Sequence, residues 1–318
     1  MKKILILSLL IAMMSFMTIN QINRQKEISY TDNLAFEITI YEPNVKILQI
    51  TDLHLLMGFG HQDRRTFALI KALINQQPYD LIVFTGDLTM SPFAPSLIRY
   101  LVHFMEQFET PWTFVFGNHE SDLNSYRSIL NHLPESNYLY YKVGPNIEDG
   151  GYGNFKISFI YQDQPFYHTY FLDSKAEKKN ENKADGRYDY LSTAQVSWYE
   201  SHVSNDSVPS IVFMHTPLRQ YMNPIDYIGV FNEKKVYAQG KDTGFFEAMK
   251  RHGLSQAVFV GHDHLNDFYF ILDDIILAYG RVTGFNAYGN LERGGRMIHI
   301  DEHYLLTTEI ILESEVIT

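Results

Sequence analysis

Apolar residues along this chain follow two alternating rhythms. Short continuous runs at 45–51 (VKILQIT), 81–85 (LIVFT), 112–116 (WTFVF), 211–214 (IVFM) and 257–260 (AVFV) have the length and the β-branched, aromatic character of buried strands. Between the first two, residues 64–75 place Phe67, Ile70, Leu73 and Ile74 at helical spacing. Helices are also predicted over 92–108, 123–133, 193–203 and 244–252, with Ser192 or Thr193 as N-cap of the 193–203 helix. Residues 138–172 hold several strand-like runs, 173–190 reads as a polar, lysine-rich loop, and 268–312 is nearly all strand-like. No internal repeat is visible. Alternating β and α followed by many strands predicts an α/β protein, with two sheets packed face to face and helices outside.

The first residues break this rhythm. Lys2 and Lys3 precede an apolar stretch, 4–19, interrupted only by Ser8, Ser15 and Thr18. A charged start before an apolar run is the signature of export. No A-x-A site follows, so a retained anchor is the alternative, although sixteen residues are short for a full span. The expected organisation is a signal peptide or membrane anchor over 1–20, a polar tether over 21–33 and one domain over 34–318. The expected location is outside the cell or anchored to the membrane and facing outward. Fractionation of the native host with an antibody against the domain should find it across a membrane, and full-length chain confined to the cytosol would defeat this.

Composition narrows the chemistry. With 318 residues, 45% of them apolar, the chain can bury the core of one large domain. Its net charge is −11 with no basic block, so no nucleic-acid partner is expected. There are no cysteines. That removes disulfides, thiolate nucleophiles and thiolate ligands, leaving imidazole, carboxylate and amide groups for any metal.

Such groups stand immediately after the predicted strands. The run 45–51 is followed by Asp52-Leu53-His54, 81–85 by Gly86-Asp87, and 112–116 by Gly117-Asn118-His119-Glu120. The run 211–214 is followed by His215, and 257–260 by Gly261-His262-Asp263-His264. Ligands of open α/β sheets bind at the carboxyl ends of strands, so five such ends imply one shared rim. Alternate residues share a side of a strand end, which pairs Asp52 with His54 and His262 with His264. Two neighbouring divalent cations repel each other and need a carboxylate between them, plus neutral donors that leave room for water and substrate.

This ordered set, D-x-H, G-D, G-N-H-E, a lone His and G-H-x-H, resembles the calcineurin-like metallophosphoesterase family. The resemblance implies a four-layer α/β/β/α sandwich of two mixed sheets, with a dinuclear site at the strand ends. It implies Asp52, His54, Asp87 and His264 on one metal, Asp87 as the bridge, and Asn118, His215 and His262 on the other. His119 falls where the family keeps a histidine that faces substrate rather than metal. The implied activity is phosphate-ester hydrolysis by a metal-bound hydroxide, with His119 protonating the leaving group. The implied cofactors are two divalent ions (Mn, Fe, Zn or Mg). The expected substrate is a phosphorylated small molecule or a phosphoprotein, with monoesters favoured over diesters. The remote alternative is a silent protein-binding scaffold of the same fold, which predicts eroded ligand positions.

A narrower similarity runs through Gly151-Tyr152-Gly153-Asn154, Leu172-Asp173-Ser174, Gln195-Val196-Ser197-Trp198 and Tyr279-Gly280-Arg281. It resembles the non-purple branch of the purple-acid-phosphatase-related proteins. True purple acid phosphatases carry a Tyr three residues after the bridging Asp, and here that residue is Met90. Glu120 is expected to support the site rather than react, and Asp263 and Asn266 to orient ligand histidines. His61, Arg187 and Arg281 are weaker candidates for touching the phosphate.

Overall fold

The structure is a computed structural model, and it describes residues 27–178 and 186–317. The predicted leader lies outside the described residues. Among the described residues, no helix is long and apolar enough to cross a membrane.

Strands β1 (Phe36–Thr39), β2 (Val45–Ile50), β3 (Leu81–Thr85) and β4 (Trp112–Val115) come first, with helices α1 (His61–Ile74) and α2 (Ala94–Met105) in the crossovers. A short helix, α3 (Tyr126–Leu130), leads to the hairpin β5 (Phe155–Tyr161) and β6 (Gln164–Phe171). Helix α4 (Thr193–Val203), β7 (Ser210–Phe213), α5 (Phe245–His252) and β8 (Ser255–Val260) follow. The chain closes with β9 (Tyr269–Leu272), β10 (Ile275–Tyr279), β11 (Gly294–Ile300), β12 (Leu306–Leu312) and a final turn, α6 (Glu313–Val316).

Two mixed sheets result, ordered β1-β5-β6-β7-β8-β10-β9 and β12-β11-β2-β3-β4. Side-chain alternation explains why they stack. In β2, Val45 and Ile47 enter a core shared with Phe213, Ala257 and Phe259 of the other sheet. Their neighbours Leu48 and Ile50 pack with Leu69, Ile70 and Leu73 of α1 and Leu101 of α2. In β8, Ala257 and Phe259 face inward, while Val258 and Val260 meet Tyr199 of α4 and Met249 of α5. Three apolar layers therefore separate four structural layers, α/β/β/α. Each fully buried Leu or Ile contributes about 1.5–3 kcal/mol, so both faces of each sheet are stabilised.

Several boundaries differ from the periodicity. Helix α1 begins at His61, three residues early, because its polar first turn serves a loop: buried Asp63 accepts N–H bonds from Met57 (2.8 Å) and Gly58 (2.6 Å). Helix α3 covers only five of the eleven residues predicted for it, starting where Ser125 caps it. The 268–312 run is interrupted, since 280–293 leaves the sheet and crosses the site. The 193–203 helix matches, with Ser192 and Gln195 forming a capping box.

Candidate metal centre

Strands β2, β3 and β4 run parallel in one sheet, and β7 and β8 run parallel in the other. Their carboxyl ends meet at one rim, where Gln49 ties the two sheets by donating to Thr85 Oγ1 (2.9 Å) and to the Val260 carbonyl (3.0 Å). The structure brings Asp52, His54, Asp87, Asn118, His215, His262 and His264 together there, all buried.

They form two overlapping groups whose donor atoms lie within 4.8 Å of one another: Asp52, His54, Asp87 and His264, and Asp87, His215 and His262. Asp87 belongs to both, its Oδ2 standing 3.5 Å from His54 Nε2 and 3.3 Å from His215 Nε2. Asn118 Oδ1 lies 3.1 Å from His215 Nε2, on the side of the second group.

The donor chemistry fits cations. Nε2 of His54 faces Nε2 of His264 at 3.0 Å, and neither Nδ1 has a protein partner. Burial pushes the His54 imidazole down to about 4, so that ring is neutral and presents a lone pair. Burial and the neighbouring His215 push His262 down to about 3. His215 differs: burial opposes its charge, but the Asp87 carboxylate outweighs it and raises the imidazole to about 10. The negative field that suits a cation also holds a proton there. Its Nδ1 lies 2.7 Å from the Thr85 carbonyl, which fixes the tautomer with Nε2 toward Asp87. Two carboxylates, an amide oxygen and four imidazoles suit divalent ions of intermediate hardness.

The backbone is bent to achieve this. Asp52 (φ 54°), His54 (φ 47°), Asp87 (φ 51°) and His262 (φ 81°) all occupy the left-handed region, which costs of order 1–3 kcal/mol each for non-glycine residues. Glycine is required beside them. A Cβ on Gly117 would sit 2.2 Å from Asp87 Oδ1, and Gly86 (φ 88°) would press 2.5 Å against His215 Nδ1. Buried Glu120 accepts the Gly117 N–H (2.9 Å) and the Leu88 N–H, bracing both loops, and burial then the Asp87 charge raise its carboxyl to about 7.

His119 stands apart from the ligand group. Its backbone N–H donates to Asp87 Oδ1 (2.9 Å), its ring lines a cavity of about 260 Å³ beside Asp87, His262 and His264, and its Nδ1 lies 2.5 Å from Asp122 Oδ2. Burial works against its charge, yet Asp87 and Asp122 raise its pKa above the ordinary value. Asp122 escaped the sequence reading, although its spacing of three from His119 was the available signal. Tyr188, Glu233, Tyr237 and Tyr288 also line the cavity, Tyr288 from a segment expected to be strand.

The weaker candidates do not line the cavity. His61 opens α1, Arg187 is exposed and paired with Glu177, and Arg281 is buried against Asp267. Asp263 and Asn266 hold a neighbouring loop instead of histidine rings: Asp263 Oδ2 accepts Tyr237 N–H (3.1 Å) and Asn266 Oδ1 accepts Glu233 N–H (3.2 Å).

Met90 sits in the loop after Asp87, its N–H donating to the Leu55 carbonyl (3.2 Å). The tyrosines nearest the histidines resist ionisation: burial pushes Tyr188 up to about 12 and, with Glu233, raises Tyr288 further. With Met90 standing three residues after Asp87, iron-loaded protein should lack an intense visible tyrosinate band. An absorption spectrum of the reconstituted protein checks this, and a purple colour would refute it.

Known proteins resemble this chain over the same region. The family model for calcineurin-like phosphoesterase matches residues 45–266. The chain is 25% identical over 308 residues to an Arabidopsis thaliana protein named "Probable inactive purple acid phosphatase 29", covering 80% of this chain and 76% of that one. It is 26% identical over 287 residues to Phosphatase DCR2 of Saccharomyces cerevisiae, covering 75% of this chain and 48% of that one. Among solved structures, a dimetal phosphatase from Danio rerio shares the fold with a TM-score of 0.58 at 11% identity, over 84% of this chain and 95% of that one. On the family match, which covers every strand end that carries the donor cluster, this chain belongs to the calcineurin-like phosphoesterase family.

Proposed function

We propose that this chain hydrolyses phosphate monoesters in a metal-dependent reaction, with His119 protonating the leaving oxygen. One observation carries the reading: Asp87 is shared by two complete donor groups that open on the cavity lined by His119. Divalent cations held there would neutralise phosphoryl oxygens and lower the pKa of water.

The remaining work falls to the protein. Asp87 ties cluster to acid, because its second oxygen holds the His119 amide. With Nδ1 engaged by Asp122, Nε2 of His119 is the nitrogen left to serve the ester. Acid catalysis of this kind is worth roughly 10²–10⁴-fold. The absence of cysteine and of a serine–base pair in this cavity favours direct attack by water over a covalent intermediate.

The names of three Arabidopsis thaliana relatives, all purple acid phosphatases, support a monoester preference, although all three carry the word inactive. The full donor set argues for activity in this chain. The deciding experiment is a panel of an aryl monoester, a bis-aryl diester, nucleotides and a phosphopeptide, with Mn²⁺, Zn²⁺, Mg²⁺ or Fe²⁺ supplied. The aryl monoester should be turned over at least about tenfold faster than the diester. A diester preference would remove the monoester assignment, and no turnover with any metal would leave a silent scaffold.

A further inference from the structure

We propose that the cavity selects phosphate esters whose alcohol carries a positively charged ammonium group. The phosphoryl end of this assignment rests on the function proposed above. The other end rests on a wall that the hydrolytic chemistry does not use.

That wall is three tyrosines and one carboxylate. The Tyr288 ring stacks on His264, with centroids 4.1 Å apart and planes at 30°. Its hydroxyl donates to Glu233 Oε1 at 2.5 Å, which places the carboxylate one tyrosine's length from a candidate ligand. Tyr188 meets His262 edge to face at 4.3 Å, and Tyr237 completes the lining. Glu233 has no Lys, Arg or His within ion-pair distance among the described residues.

A bare carboxylate beside a site for a phosphate dianion repels the substrate, unless the substrate brings a compensating positive charge. Aromatic faces combined with an acid form a receptor for ammonium groups. The rings already attract cations of this chain: Lys235 Nζ stands 5.2 Å from the Tyr237 centroid and the Arg187 guanidinium 5.6 Å from that of Tyr188. Both side chains are exposed, and Arg187 is paired with Glu177, so neither is buried against its ring.

The wall is also held in place. Asn232 and Glu233 both donate their N–H to buried Asn266 Oδ1 (3.2 Å each), and Tyr237 N–H is held by Asp263. Buried Arg293 donates to the Ala287 carbonyl (2.7 Å), fixing the loop that carries Tyr288. The loop of Glu233 and Tyr237 is thus anchored at Asp263 and Asn266 beside the candidate ligands, and Tyr288 reaches the same turn through its stacking on His264, so cation site and metal site keep a constant separation.

The test is equilibrium binding to the Mn²⁺-loaded wild-type protein by calorimetry, using two phosphonates that cannot be hydrolysed. 3-(Trimethylammonio)propylphosphonate carries the cation, and 4,4-dimethylpentylphosphonate replaces nitrogen by carbon. The cationic ligand should bind about tenfold tighter or more. Glu233→Gln and Tyr288→Leu should each shrink that gap to within about threefold. Equal affinities in the wild type, no binding of either ligand, or a gap that survives Glu233→Gln would each overturn the proposal. If a variant does not fold, the wild-type comparison still decides. Turnover of nitrophenyl phosphate by the same preparation reads the hydrolytic proposal separately. Protein that prefers the cationic ligand but turns nothing over keeps the selectivity and loses the chemistry.

Discussion

Replacing Asp87 by asparagine should strip the protein of metal and of turnover together. The change is nearly isosteric, so the left-handed turn at this position and the bond to the His119 amide can persist. What disappears is the charge. Burial opposes ionisation of Asp87, but His215 and His54 outweigh it and hold the carboxyl well below the usual range. The wild-type group is therefore an anion shared by the two donor groups. An amide presents one oxygen and no charge, and cannot serve both. Loss of a mere outer-sphere partner costs about 10–100-fold in metal affinity, so loss of the shared carboxylate should exceed ~100-fold for at least one ion. Elemental analysis of purified Asp87→Asn beside its turnover checks this. Two retained equivalents with normal rates would end the bridging assignment.

His119→Ala should keep both metals yet lose about 10²–10⁴-fold in turnover of alkyl phosphates. The defect should shrink to less than about tenfold for nitrophenyl phosphate, whose leaving group needs little protonation. The pH profile carries a sign. Asp87 and Asp122, against the effect of burial, raise the His119 pKa above the ordinary histidine value, so the acid form persists to higher pH than in a free histidine. Alkyl-ester turnover should then fall as pH rises through that raised pKa, and the alkaline limb should vanish in His119→Ala. Equal loss for both ester types would make His119 a phosphate-positioning group. Loss of metal would make it a ligand.

The donor cluster was legible because its parts are local. Each donor lies within a few residues of a buried apolar run, and such runs announce strands whatever the rest of the chain does. Their convergence needed only the rule that parallel strands end on one edge. Strand β1 was missed because half-exposed FEIT pairs in parallel with β5, more than a hundred residues away, and no local pattern reports such a partner. Asp122 and the wall of Tyr188, Glu233, Tyr237 and Tyr288 were missed for a related reason. They sit on irregular loops whose meeting depends on buried braces such as Asn266 and Arg293, which in sequence look like ordinary polar residues. The helix predicted over 123–133 was too long because residues just after His119 are taken up by the site loop.

The claim on which all else depends is that this donor cluster holds two divalent ions that the hydrolysis requires. It is tested most directly by titrating chelator-treated protein with Mn²⁺ while following bound metal and nitrophenyl phosphate turnover in the same samples. Activity should be absent without metal, should rise with occupancy and should saturate at two equivalents. Full activity in the chelator-treated protein, or saturation of the site with no turnover at all, would contradict it.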